Sequence, residues 1–190
     1  MDGQGGAIVS RLLLDLRNVG VLAADYLIEP ADRYEWLHHA SLADERAGFL
    51  RPTLLLNEAS VDAPRHGVVA AVDTRNGTVA DLPWLGRGAH RSTIVLPVTA
   101  GRIAAVGTMG RLPGQHQLYL YLANSDSDFL SGAGQLYVLR ARAGLGKAPF
   151  EAERGVLGIQ KSFPIQAEFV PIDRATAESP AGLELAAQRL

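Results

Sequence analysis

Three kinds of acidic or imidazole side chain in this sequence have the chemistry of metal ligands. Glu58 follows the apolar run Leu54–Leu56, and Asp126 and Asp128 stand two residues apart in the polar segment Asn124–Asp128. Hard cations such as calcium require several oxygen ligands. Glu58 is therefore either a metal ligand or the residue at which a buried strand reaches the surface. Asp126 and Asp128 are either ligands or part of a polar hairpin loop, since the glycine and glutamate of an EF-hand are missing.

Histidines supply a second set of candidates. His38 and His39 are adjacent, and a strand would point their rings apart. We therefore interpret the pair either as a solvated turn or as containing one metal ligand. His90 lies between Arg87 and Arg91 in the segment Gly86–Ser92. That segment is either an anion-binding loop that uses charge-assisted hydrogen bonds or a basic surface loop.

Several classes of active site are excluded by residue type. The chain has no cysteine, which excludes disulfides, thiolate zinc sites, iron–sulfur clusters and cysteine nucleophiles. It has no Gly-x-Ser-x-Gly nucleophile motif. The glycines of Gly107–Gly114 lack the lysine of a phosphate-binding loop. No catalytic residue is therefore assigned from motifs.

Composition indicates one globular domain over residues 1–190. The net charge is −2 and the pI is about 6.2, so the basic footprint of a nucleic-acid partner is missing. No apolar run approaches the ~20 residues of a membrane span. Met1–Gly6 has no signal-peptide pattern, and the cellular location stays open.

The elements that must position these residues are predicted to be short strands. Twenty glycines and ten prolines divide the chain into short runs, which indicates an all-β fold. Asn76-Gly77 supplies the positive φ angles of a tight turn, so a hairpin is predicted there. The other predicted strands are Ala7–Leu16, Thr53–Leu56, Thr93–Val98, Arg102–Thr108, Gln117–Leu122, Gln135–Arg140 and Ala167–Ile172, followed by a helix over Pro180–Leu190.

The strand Gln117–Leu122 alternates between two side-chain types. Its three leucines share one face, and Tyr119 and Tyr121 share the other. We expect the tyrosine face to be exposed. The following segment, Ala123–Gly134, is predicted to be a polar loop rather than a domain boundary.

A series of short motifs runs along nearly the whole chain, from Gly5 to Leu190. They are Gly5–Leu16, Asp25–Ile28, Ala40–Ala43, Leu54–Glu58, Val68–Thr74, Leu82–Gly86, Val106–Thr108, Gly114–Leu122, Gly132–Val138 and Val170–Asp173. Their order resembles that of PhoX-type alkaline phosphatases and of the broader bacterial family of PhoX-like β-propeller proteins.

The resemblance implies an incomplete β-propeller-like array of antiparallel blades with a short C-terminal helix. At ~40–50 residues per blade, this chain supplies about two to three blades, and the remaining blades are expected in a longer chain. Family members are usually exported, and the active ones are iron- and calcium-dependent phosphomonoesterases whose metal ions polarise the phosphoryl group.

Few of the family's metal ligands are present at the matching positions of this sequence. His38 takes the place of an iron-binding cysteine, and Glu58 alone remains of a Gly-Glu-Glu motif. His90-Arg91-Ser92 and Met109-Gly110 replace further acidic residues of the family. Calcium and iron are thus the implied cofactors, with weak calcium binding or none expected in this chain.

Two functions are expected from these observations. The first is a PhoX-like fragment, ancestrally a metal-dependent phosphatase acting on phosphate esters and inactive as this chain. The alternative is a non-enzymatic β-rich binding or interaction module, suggested by the missing carboxylates and the tyrosine face. Neither predicts a nucleic-acid or membrane partner; a phosphate ester or other small molecule is the expected ligand.

Overall fold

The strands of the protein are consecutive along the chain and short. The computed structural model describes residues 6–32, 34–60, 62, 64–97, 101–110, 117–141, 167–179 and 183. The strands are β1 (Val9–Asp15), β2 (Gly20–Ile28), β3 (Leu37–Ala43), β4 (Thr53–Glu58), β5 (Val69–Asp73), β6 (Val79–Asp81), β7 (His90–Val95), β8 (Ile103–Met109), β9 (Gln117–Ala123), β10 (Gln135–Ala141) and β11 (Ala167–Ile172). Two short helices accompany them, α1 (Asp126–Ser131) and α2 (Arg174–Glu178).

These strands form three antiparallel sheets. β1 pairs with β2, β3 to β6 form a four-stranded sheet, and β7 to β11 form a five-stranded sheet. Every hydrogen-bonded neighbour is also the neighbour in sequence, so each sheet is a meander. The expectation of a β-rich fold is confirmed. Within the described residues the sheets do not close into a barrel or a ring of blades.

The four-stranded sheet is the middle layer, with apolar residues packed on both of its faces. Leu55 and Ala71 contact the cluster shared with the five-stranded sheet, whereas Leu56, Ala70 and Val72 contact the cluster below the β1–β2 hairpin. Because successive residues of a strand point to opposite faces, burial of both faces requires a continuous apolar run. This explains why β4 does not alternate between apolar and polar residues.

The predicted hairpin between β5 and β6 is present, but its turn differs from the expectation. The connection spans the five residues 74–78, and the amide of Asp73 donates to the carbonyl of Thr78 at 2.9 Å. Gly77 adopts a positive φ of 77°, whereas Asn76 does not. The Asn76 side chain instead accepts the Thr78 amide at 2.9 Å, so asparagine acts here through its side chain rather than through a left-handed backbone.

The faces of β9 are reversed from the prediction. Tyr119 and Tyr121 are buried against the four-stranded sheet, and the three leucines that alternate with them are only half-buried. The Tyr121 ring packs edge-to-face on Phe129 at 5.3 Å, and its hydroxyl accepts the Gly134 amide at 2.8 Å. Alternation defines two faces of a strand, but it does not tell which face meets the other sheet; a buried tyrosine is stable where its hydroxyl finds a partner.

The segment predicted to be a polar loop contains helix α1. Ser125 caps its first turn by accepting the Asp128 amide at 3.0 Å, and Gly132 ends it with a φ of 78°. Phe129 is fully buried and anchors the helix to the core. Six residues are too few to produce a helical periodicity, so one buried aromatic decides the structure of this segment.

The C-terminal segment is only partly described. The helix predicted over Pro180–Leu190 lies outside the described residues except for Leu183, which is helical and buried. Ser179, which precedes that segment, lies at the C-terminal end of α2. β2, β3 and α2 were not among the predicted elements. Asp25 interrupts the apolar residues of β2, two histidines and a serine interrupt those of β3, and α2 has only five residues.

Candidate functional site

Glu58 is the last residue of β4, and its carboxylate is fully buried. Oε1 accepts the backbone amide of Glu35 at 2.8 Å, and Oε2 accepts the backbone amide of Gly67 at 3.1 Å. Its own amide donates to the carbonyl of Val68 at 3.0 Å. We call this carboxylate with Glu35, Gly67 and Val68 the Glu58 site. It holds together the two loops that precede β3 and β5.

Opposing effects act on the pKa of the Glu58 carboxyl. Burial raises the pKa of its carboxyl above the ordinary value. The amide N–H groups of Glu35, Gly67 and Val68 oppose that rise, as does the positive charge of Arg65. Since both carboxylate oxygens already accept hydrogen bonds from the backbone, this geometry makes Glu58 an anchor for the loops.

Strained backbone surrounds the Glu58 site. Trp36, His39 and His66 adopt positive φ angles of 51°, 41° and 58°. Each is adjacent to a residue bonded to Glu58 or is itself bonded to its neighbour Asn57. A non-glycine residue in this conformation persists only where its surroundings determine it. The side chain of Trp36 is 73% exposed.

Gly67 joins the Glu58 site to the start of β7. Its φ is 67°, and its carbonyl accepts the Gly88 amide at 2.9 Å. A Cβ atom at this position would lie 2.0 Å from the Gly88 carbonyl oxygen. Only glycine fits both the backbone conformation and this close approach.

Arg65 forms a second cluster beside the Glu58 site. Its guanidinium lies 4.2 Å from the centre of the Tyr34 ring, forms an ion pair with Asp81 and donates to the Asp32 carbonyl at 2.9 Å. The Tyr34 hydroxyl donates to Asp81 at 2.6 Å. Burial and the hydrogen bond to the Asp81 carboxylate raise the pKa of Tyr34. The polar groups of this cluster thus form their hydrogen bonds and their ion pair with one another.

The expected turn at His38-His39 is wrong, because both residues lie within β3. The register of β3 shifts between His38 and Ser41, and the left-handed conformation of His39 brings the two rings nearly parallel with centroids 6.0 Å apart. His38 pairs with Asn57, whereas Glu58 pairs with Leu37. Cross-strand partners share a face of the sheet, so His38 and Glu58 lie on opposite faces.

His90 is fully buried, so the interpretation of Gly86–Ser92 as a basic surface loop is wrong. Its Nε2–H donates to the Gly86 carbonyl at 2.7 Å, which leaves Nδ1 as an acceptor with no partner within the described residues. Burial lowers the pKa of His90 to about 4. Arg87 donates to the Arg65 carbonyl and Arg91 to the Gly110 carbonyl, so both arginines bind backbone oxygens.

Asp126 and Asp128 lie in the first turn of α1. The Asp126 carboxylate accepts the amides of Leu50 at 3.0 Å and Ser127 at 2.8 Å. Residues two apart on a helix do not face each other, so the two carboxylates do not converge. The Asp126 carboxylate anchors the loop that contains Leu50, and Ser125 caps the helix.

Calcium and iron, the metals implied by the family resemblance, do not fit these residues. In the part of the chain that the structure describes, no three His, Asp or Glu side chains come together as a metal site. Glu58 uses both oxygens on backbone amides, and His38 faces away from it. A hard cation needs several converging oxygens, and this arrangement does not supply them.

A second candidate surface is the β1–β2 hairpin, which the sequence reasoning did not single out. On its inner face, Val9 and Leu27 pack on the four-stranded sheet, and Arg11 bonds to Asp25 across the hairpin. Arg11 also donates to the carbonyls of Thr74 and Arg75 at 3.0 and 3.1 Å. The outer face consists of exposed residues that pair across the strands: Ser10, Leu12, Leu14, Val21, Ala24 and Tyr26.

The signal for this surface was present in the sequence. Leu12, Leu13 and Leu14 form a continuous apolar run, which is typical of a strand that is covered on both faces. In the structure all three side chains are exposed, Leu13 at 60%. The apolar run thus marks a surface that the rest of the described chain leaves uncovered.

No helix within the described residues has the length and apolar composition of a membrane span. Comparisons with protein-family models, with curated proteins and with solved structures found no match to this chain.

Proposed function

We propose that this chain is a non-enzymatic β-rich interaction module whose contact surface is the outer face of the β1–β2 hairpin. The observation that carries the proposal is the exposure of apolar side chains on that face. Large contiguous apolar patches are rare on monomeric soluble proteins and mark interaction sites. The hydrogen bonds from Arg11 to the turn between β5 and β6 support the proposal, because an anchored surface binds at a lower entropic cost than a mobile one.

The buried polar groups support a structural role over a catalytic one. The Glu58 carboxylate and the Arg65–Asp81–Tyr34 cluster are engaged with backbone or with each other. His90 is buried beside the Gly86 carbonyl. A general base or nucleophile must reach its substrate within hydrogen-bond distance, which these groups do not offer from their present positions.

The test is the binding of an apolar dye, anilinonaphthalene sulfonate, to dilute protein. We expect wild type to enhance the dye fluorescence and Leu12→Lys/Val21→Lys to lose most of that enhancement. Leu50→Lys is the matched control, because Leu50 is 83% exposed and lies outside the hairpin. Circular dichroism checks that all three proteins are folded. An unchanged dye signal in the double variant contradicts the proposal.

A second candidate function is favoured by the strand order of the four-stranded sheet. An antiparallel meander of four strands is the organisation of a propeller blade. Together with the motif order, it supports descent from PhoX-like propeller phosphatases acting on phosphate esters, with further blades as partners. We expect no hydrolysis of p-nitrophenyl phosphate by this chain with calcium and iron added. Metal-dependent turnover would contradict the non-enzymatic proposal and establish the phosphatase.

A further inference from the structure

We infer that the partner bound by the outer face of the hairpin is a second copy of this chain, in a twofold-symmetric contact. This inference rests on the proposed function, because it names the occupant of the same surface. It depends on three features of the hairpin: the size of its apolar surface, the placement of its charges and the small size of its sheet.

The first feature is the amount of apolar surface. The exposed apolar residues of the outer face are Leu12, Leu14, Val21, Ala24 and Tyr26. One such side chain contributes roughly 60–120 Å² when it is fully buried, so the outer face offers on the order of 400 Å². Two copies that meet there would bury on the order of 800 Å², which is the size of a weak, transient interface rather than of a permanent one. The expected dimer is therefore weak, reversible and concentration-dependent.

The second feature is the distribution of charge. In a twofold contact the same patch meets itself, so any charge near the axis faces a like charge. The outer face carries no charged residue, while Arg11 and Asp25 lie on the inner face and neutralise each other. The outer face is thus compatible with its own copy. An oppositely charged partner has no group on it to recognise.

The third feature is the small size of the hairpin sheet. β1 and β2 pair only with each other within the described residues. A two-stranded sheet is marginally stable alone and gains stability when its apolar face packs against another element. A second hairpin stacked on the outer face would supply that cover.

The test measures association by analytical ultracentrifugation across a wide concentration range. We expect wild type to form a reversible dimer, and Leu12→Lys to raise its Kd by at least about tenfold through like-charge repulsion and a lost apolar contact. Leu12→Asp should do the same. An equimolar mixture of the two variants should regain dimers, because opposite charges then meet across the axis. Leu50→Lys, the matched control, should associate like wild type.

The outcomes separate this inference from the proposed function. A wild type that stays monomeric at every concentration, or a Leu12→Lys variant that dimerises like wild type, overturns the second-copy inference. If the dye still reports an apolar surface that Leu12→Lys/Val21→Lys removes, the proposed contact surface stands with a different partner. If dilute wild type binds no dye, the proposed function fails as well.

Discussion

Two pairs of neighbouring strands, β1–β2 and β4–β5, are both apolar and antiparallel, yet their environments are opposite. β4 and β5 are central strands of the middle sheet and are covered on both faces. β1 and β2 are covered on one face near their base, and their outer face is exposed. Apolar content is therefore not what buries a strand. The number of layers packed against it decides burial.

The difference also separates structural from interaction roles. Leu55 in β4 is 0% exposed, so its apolar surface already stabilises the fold. Leu12 in β1, on the outer face of the hairpin, is 54% exposed, and its burial by a partner would still release free energy. The same residue type thus stabilises the monomer in one pair of strands and is available for binding in the other.

The largest expected effect compares a leucine from each pair. Leu55→Ala should lower the free energy of unfolding by about 4 kcal/mol, because it removes transfer energy and leaves a cavity in the core. Leu13→Ala should change it by less than about 0.5 kcal/mol in the monomer. Urea denaturation of dilute protein measures both. Equal losses would mean that the hairpin is as well packed as the middle sheet.

A comparison of two glycines tests the backbone in the same way. Gly67→Ala should cost about 3 kcal/mol, since it combines left-handed strain with overlap against the Gly88 carbonyl. Gly20→Ala, at the start of β2, should cost under about 1 kcal/mol, because its Cβ would meet only the Asn18 side chain. Thermal denaturation of the two variants decides this, and similar melting temperatures would refute the close approach at Gly67.

Protonation of His90 should lower the free energy of unfolding at acidic pH. Its pKa is about 4 in the folded protein against an ordinary value of 6.5, so the unfolded chain binds the proton first. Stability is fully present above pH 6.5 and falls by roughly 3 kcal/mol as the pH drops from 6.5 to 4. Unfolding curves at several pH values measure this slope.

Two variants assign that pH dependence. His90→Gln should remove most of the slope between pH 6.5 and 4. His39→Gln, at an exposed position, should retain it. The hairpin sequence from Gly6 to Ile28 contains no histidine, so its amide exchange should not share this titration. A slope that survives in His90→Gln would assign the acid sensitivity to another group.

The smallest effect is expected at Arg11, which joins the hairpin to the β5–β6 turn. Arg11→Ala removes bonds to Thr74 and Arg75 as well as the ion pair with Asp25. The melting temperature should change little, because exposed ion pairs contribute little to stability. Amide hydrogen exchange in β1 and β2 should become faster. Arg17→Ala, in the hairpin turn, should leave exchange at the base of the hairpin unchanged.

The strand pattern was largely readable from the sequence. Most strands follow from short apolar runs bounded by glycine, proline and polar turns, as in the hairpin that closes at Gly77. Prediction failed where one tertiary contact outweighed the local pattern. The buried Phe129 side chain anchors α1, and a bulge at His39 allows β3 to continue past two histidines.

Glu58 shows how far the candidate site could be predicted from the sequence. Its position after an apolar run marked it as unusual, but the amides that bind it belong to residues 23 and 9 positions away along the chain. The sequence offered two interpretations, a ligand or a surface residue. The structure shows a buried carboxylate bound by backbone amides, which neither interpretation included.

By itself, the sequence determined which segments are extended and how their side chains alternate, because backbone propensity and period-two patterning are local properties. Only the tertiary structure decided which face of each strand is buried. Tyr119 and Tyr121 turn inward because the four-stranded sheet lies on that side, and Leu12 and Leu14 remain exposed because no described layer covers them. Burial depends on the placement of distant layers, and no local pattern encodes that placement.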